Sequence, residues 1–278
     1  MYRFLWSRQW VILTLLGLVM IPTMIRLGFW QLHRHEHRVA NNNIIAASLR
    51  ATPLPVEKVT HPGAALPHSD LYRSVTATGH YDTAHEFVAR QRTAGNTQTD
   101  DQGGAQQIGY HVITPLVLDD GRAVLVNRGW IAPGDDPAAF PKIPAPPSGE
   151  VTVTGRLRPD ETTSATGIRN KKGLPDRQVM LISSVLDARD VPATLVSGYM
   201  ELVSTSPKPA AGQPSLIPEP DHSSIGPHMA YAIQWWLFTV MVPVGWVVLF
   251  RRERAEILAA RARPETPQEP EGSVPVAV

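Results

Sequence analysis

The chain has 278 residues, room for one ordinary domain with extensions or two small ones. Lys plus Arg number 26 and Asp plus Glu 25, a net charge of +1, so no clustered basic excess marks a nucleic-acid surface. Cysteine is absent, which excludes a disulfide scaffold, a thiolate zinc site, an iron–sulfur cluster, a Cys nucleophile and a thiol-based copper chaperone.

Residues 1–9 precede a first apolar block. From Trp10 to Trp30 the chain reads WVILTLLGLVMIPTMIRLGFW, with Arg26 as its one charge. A bilayer core about 30 Å thick needs roughly 20 helical residues, and this block meets that length. Trp10 and Trp30 stand at the two ends, where aromatic rings favour the membrane interfaces. A cleaved signal peptide would show a shorter apolar core and a small-residue cleavage site. Gln31-Leu32-His33-Arg34 follows instead, so the block is read as an uncleaved transmembrane helix over residues 10–30.

Residues 31–203 are expected to form a β domain. Leu71 to Gly79 alternates apolar and polar residues. Tyr110 to Leu118 and Arg122 to Ile131 flank Asp119-Asp120-Gly121, a hairpin turn signal. Glu150 to Arg158 alternates cleanly, with Val151, Val153 and Leu157 on one face. Gln178 to Ser183 and Val196 to Val203 read as further strands, with one or two helical turns over Ser184 to Asp190 before Pro192. Strands joined by turns predict a mainly antiparallel sheet curled into a small barrel or sandwich. Thr93 to Gln107, Asp135 to Ser148 and a Pro- and Ser-rich linker over 204–227 read as irregular.

The second apolar block, Met229 to Phe250, carries no charge. It has no polar face for water, so 228–250 is read as a second transmembrane helix. RRERAEILAARAR follows it, with five Arg and two Glu, whereas no Lys or Arg lies between Lys208 and His228. Basic flanks stay in the cytoplasm. Both termini are therefore placed there, residues 251–278 forming a basic segment and a Pro- and Glu-rich tail read as disordered after Arg263. The middle lies outside the cytoplasm.

No G-x-x-x-x-G-K-[ST], G-x-G-x-x-G, G-x-S-x-G or H-E-x-x-H occurs, so no enzyme signature is present. Three constellations carry possible chemistry. In His33-Arg34-His35-Glu36-His37-Arg38, His33 and His37 share a helical face while His35 points away; this is a metal pair or a solvated helix end. His228, Tyr231 and Trp235 form one stripe at i, i+3 and i+7. An imidazole beside aromatic rings suits an axial ligand for a flat apolar cofactor such as haem, or simply an interfacial aromatic belt. In Val126-Asn127-Arg128-Gly129-Trp130-Ile131, Arg128 could grip a carboxylate or propionate, or stack on Trp130 as a structural residue.

Taken in order, local motifs resemble the Surfeit locus protein 1 family of cytochrome oxidase assembly factors. Leu27-Gly28-Phe29-Trp30-Gln31 with Arg34 resembles its LGxWQxxR. Tyr72-Arg73-Ser74-Val75 with Gly79-His80-Tyr81 resembles its YRxV…GxY. Gly109 to Leu116 resembles GYxVxTPL, Val126 to Trp130 resembles VNRGW, and Gly149 to Leu157 resembles GxVxVxGxL. His228, Tyr231-Ala232 and Trp235 resemble the HxxYAxxW that opens its second span. The resemblance covers Leu27 to Phe250; the 93–107 stretch, the linker and the tail are longer than the family pattern.

The resemblance implies a non-enzymatic assembly factor for haem–copper oxidase in a bacterial plasma membrane. It implies help with insertion or stabilisation of haem a in the catalytic subunit, that subunit and haem a synthase as partners, and membrane lipid around both spans. The family's membrane-border His falls on His228, here expected to bind haem iron. Tyr231, Trp235 and Trp30 would flank the ring, with Arg128 (or Arg34 or Arg73) on a propionate. The alternative is a structural chaperone of oxidase subunits that binds no haem itself.

Overall fold

The computed structural model describes residues 3–94, 107–136, 138–187 and 190–262. Most of the 93–107 stretch and the tail after Arg263 lie outside the described residues. The chain divides into two compact units, 1–39 with 225–278, and 40–224.

The first unit is a helical hairpin. Helix α1, Arg8–Arg50, spends its first part here, and α4, Val-rich and apolar, spans His228–Ala262. (Helices α2 and α3, below, belong to the second unit.) Both are long and apolar enough to cross a bilayer. They run antiparallel, as their pairings show. Trp10 meets Trp246 edge to face at 5.7 Å, and the Trp246 indole donates to Thr14 Oγ1 at 3.1 Å. Further along, Phe29 meets Trp236 at 5.8 Å. Elsewhere both helices expose Leu, Val and Met: Leu15, Leu18, Val19, Leu237, Val240 and Met241 are all exposed. Helices apolar all round, with only a narrow seam buried, suit an apolar solvent rather than water.

Helix α1 continues past Trp30 to Arg50 because nothing between them breaks it; no Gly or Pro occurs there. Pro53 disfavours helical backbone just before it, and the helix has ended by then. In the second unit, Asn42 donates to Ser224 O and Ser48 to Ser69 O.

Among the described residues the second unit has eight strands: β1 Leu54–Pro55, β2 Ser74–Tyr81, β3 Phe87–Thr93, β4 Ile108–Leu118, β5 Arg122–Ile131, β6 Val151–Arg158, β7 Gln178–Val179 and β8 Thr194–Ser206. Short helices α2, Val56–Val59, and α3, Thr163–Thr166, cap loops between them. The order is β1-β2-β6-β8-β5-β4-β3-β7, and β2 also pairs with β4. The ladders β2–β6–β8–β5–β4–β2 therefore return to their start. The sheet is mixed rather than simply antiparallel: β5–β8, β1–β2 and β3–β7 are parallel. The β5–β8 ladder pairs strands separated by β6, α3 and β7, a crossover that local alternation does not encode.

Alternation places Val75, Ala77, Val124, Val126, Val153 and Met200 in one core. The opposite faces of β3, β4, β5 and β8 form a second core, with Phe87, Ile113, Leu125 and Tyr199 covered by Ile182 and Val191. Strand β5 is buried on both faces, so 123–129 is buried continuously. The Asp119-Asp120-Gly121 turn joins β4 and β5 as the sequence predicts.

Candidate functional site

Sequence motifs at the two ends of the chain meet in the helical unit. Pro227 precedes α4, its carbonyl accepting from Tyr231 N at 3.1 Å; a proline is tolerated where helix amides lack partners anyway. His228 therefore opens α4 with its ring beside α1. Its Nδ1 lies 3.0 Å from Gln31 Oε1. An amide oxygen only accepts, so Nδ1 is the donor in this pairing. One hydrogen bond joins residues 197 positions apart.

Neighbouring residues fix this approach. A Cβ on Gly28 would fall on the Trp236 indole, so glycine lets the helices close three residues from Gln31. Ala232, one turn into α4, is fully buried. Gly226 adopts φ +66°, and a Cβ there would lie 3.5 Å from His228 Nε2. Glycine supplies the left-handed backbone and places no side chain against that edge of the imidazole.

The remaining predicted site residues are distributed as follows. Trp30 is 53% exposed, with the Arg34 guanidinium 5.6 Å above its ring. Tyr231 is 47% exposed. Trp235 meets Phe238 edge to face at 6.1 Å. Thus His228, Trp30, Tyr231 and Trp235 all belong to the helical hairpin, and half-exposed aromatic surface accompanies the imidazole.

Arg128 belongs to the β unit. It is the extra residue of a bulge, since Asn127 opposes Ile113 and Gly129 opposes Val112. A bulge re-aims a side chain. Here the guanidinium turns to Glu86 at 2.7 Å, Pro144 O at 2.5 Å and Gln213 Oε1 at 2.7 Å. The same Glu86 carboxylate accepts from Thr114 at 2.6 Å. Arg128 lies over Tyr81, 6.0 Å from the ring, while the Trp130 indole donates to Arg92 O. Its carboxylate partner is internal, and it does not stack on Trp130.

His33, His35 and His37 lie along α1. Among the described residues no group of three His, Cys, Asp or Glu side chains is placed to hold a metal ion. Gln31 and Gly226 were not singled out by spacing. Gln31 stands in the LGxWQxxR motif, which was the available signal; Gly226 gave none.

The outer sheet face holds a second polar constellation. Glu201 accepts from Arg158 at 2.9 Å and lies 3.4 Å from Arg156. Burial pushes the Glu201 carboxyl upward against the opposing pull of both arginines. Asn127 and His111 lie 3.2 Å apart. Burial, then the Arg92 and Arg158 charges, push the His111 imidazole down to about 3.

The sequence pattern of the SURF1 family matches residues 18–240. The chain belongs to the SURF1 family. An uncharacterized SURF1-like protein of Mycobacterium bovis is 28% identical over 223 residues, covering 78% of this chain and 73% of the relative. An uncharacterized SURF1-like protein of Mycobacterium tuberculosis matches equally, 28% over 223 residues with the same coverage. A SURF1-like protein of Rickettsia bellii is 26% identical over 118 residues, 41% of this chain and 42% of its own. The family match takes in both Gly28–Gln31 and His228–Trp236, the two sides of the hydrogen-bonded seam.

Proposed function

We propose that this SURF1-family protein is a non-enzymatic assembly factor for haem–copper cytochrome oxidase, assisting haem a insertion or stabilisation in the catalytic subunit. Family membership supports the oxidase-assembly role. The observation that carries the haem reading is the His228–Gln31 hydrogen bond. A ligating imidazole ordinarily donates its other ring N–H to a second group, which fixes tautomer and orientation. Gln31 stands where that acceptor is needed, and Gly226 puts no side chain against the Nε2 edge. The residues fit the group. His228 would hold the iron through Nε2, with exposed Trp30 and Tyr231 as apolar flanks. Haem a, when bound, would supply an iron centre able to take an imidazole nitrogen as a ligand. Holding the iron through a single imidazole would suit a reversible hold.

In this reading α1 up to Trp30 and the apolar part of α4 cross a bacterial plasma membrane, both termini are cytoplasmic, and the strand ring is a small extracytoplasmic barrel. The exposed apolar side chains of both helices support insertion. Lipid, the oxidase catalytic subunit and haem a synthase are the partners.

The test is the visible spectrum of the intact protein, purified in mild detergent from cells that make haem a. Wild type should carry haem a, and His228→Ala should lose it. Gln31→Leu should bind with roughly 10–100-fold lower affinity, as supporting groups around metal ligands do. Haem retained by His228→Ala would move the ligand elsewhere. No haem in wild type would overturn the carrier reading and leave a structural chaperone of oxidase subunits.

A further inference from the structure

The β unit contains a cleft of about 430 Å³, within the range of small-molecule sites. It opens where β5 and β8 part company. Their ladder ends at Asn127↔Glu201, and beyond it Trp130 exchanges two backbone hydrogen bonds with Ser215 instead. Leu202 to Thr205 of β8 and Tyr81 of β2 form the floor, and Leu202 belongs to the core inside the strand ring. The cleft is thus the mouth of that ring.

Two proline-rich straps form the walls, one with Pro146 and Pro147, the other with Pro209 and Pro214. They are held at fixed spacing. Arg128 donates to Pro144 O on the first strap and to Gln213 on the second, and Gln213 Nε2 donates to Ala145 O at 3.0 Å. Gly129, at φ +126°, allows the second strap to lie directly on β5, because a Cβ would fall on Ser215 O. Proline restricts the walls further. An apolar hollow held open this way is preorganised, which lowers the cost of filling it.

Its chemistry is one-sided. Arg128 and Lys208 line it, and no lining residue is acidic. Glu86 balances Arg128 from below. Among the described residues no carboxylate pairs with Lys208, which is exposed at the rim. Leu216, 48% exposed, faces the same space. We propose that this cleft binds a small amphipathic carboxylate, its apolar body between Tyr81, Leu202 and Leu216 and its head on the Lys208 ammonium. Hydrophobic contact provides the hold, and the rim cation selects an anion over a neutral molecule of the same shape.

Fluorine NMR of trifluoromethyl-phenylacetate with the full-length protein in detergent tests this. Wild type should give saturable line broadening. Lys208→Glu should weaken binding at least tenfold, and Ser204→Trp, at an exposed strand position lining the cleft, should abolish it by filling the space. Thermal melts confirm that both variants fold. The neutral amide of the probe should bind at least tenfold more weakly. His228→Ala should bind the probe as wild type does, so this site stands or falls separately from the haem reading. Absent saturation, unchanged binding in both variants, or equal binding of carboxylate and amide would each overturn the proposal.

Discussion

Replacing Arg128 with methionine should destabilise the β unit by about 3–5 kcal/mol, the usual cost of stripping one partner from a buried ion pair. The Arg128 side chain is 2% exposed and that of Glu86 is 9% exposed. Without the guanidinium, Glu86 Oε2 retains the Thr114 hydroxyl. Pro144 O and Gln213, both part-buried, lose this donor as well. The straps that frame the cleft should loosen together. The control is the double variant Arg128→Met with Glu86→Gln. It removes both charges, so most of the loss should return, because an apolar or neutral replacement of the whole pair is nearly balanced. Denaturant unfolding of the full-length protein, followed by circular dichroism, reads both. A single variant within about 1 kcal/mol of wild type would mean that water reaches Glu86 and the pair behaves as a surface bridge.

This residue shows where sequence reading stops. VNRGW marked Arg128 as special, and spacing offered it a ligand carboxylate or Trp130. Its partner, Glu86, lies 42 positions earlier, outside any local pattern. The bulge that re-aims it comes from β4–β5 register, which one strand alone does not display. The two apolar helices and the β4–β5 hairpin were legible because both depend on local signals: an uninterrupted apolar block, and a turn between alternating segments. The parallel β5–β8 ladder was not, since parallel pairing joins distant segments. Gln31 was visible as part of a motif, but only the antiparallel packing of α1 on α4 gives it a role. The cleft was invisible for a related reason. Its walls are the two proline-rich stretches that read as irregular, and irregular in hydrogen-bond pattern does not mean unplaced when Arg128 and Ser215 fasten them.

Opposed pH dependences should appear in the stability of the β unit. Asp187 is buried, with Ser183 N donating to Oδ2 at 2.9 Å. Burial raises its carboxyl from 3.8 to about 7; the Ser183 bond opposes this and Asp160, Asp190 and Glu161 add to it. A folded-state value above the unfolded one means that the fold prefers the proton. Stability from Asp187 is therefore full below pH 4 and lost as pH rises to 7. At about 1.4 kcal/mol per unit, the ceiling is about 4 kcal/mol. His111 acts in the other direction. Its folded value of about 3 lies below its ordinary 6.5, so the unfolded chain takes up the proton first. Stability is lost as pH falls from 6.5 towards 3. Between pH 4 and 6.5 the two slopes oppose each other, and wild type should look flat there. Single variants separate them. Asp187→Asn keeps an oxygen for Ser183 N–H and cannot ionise, so its stability relative to wild type should climb from pH 4 to 7 and then level off. His111→Gln should gain on wild type only below pH 6.5. Unfolding midpoints measured at half-unit steps, with parallel curves for Asp187→Asn and wild type across pH 4–7, would show that Asp187 is ionised in the fold and that solvent reaches it.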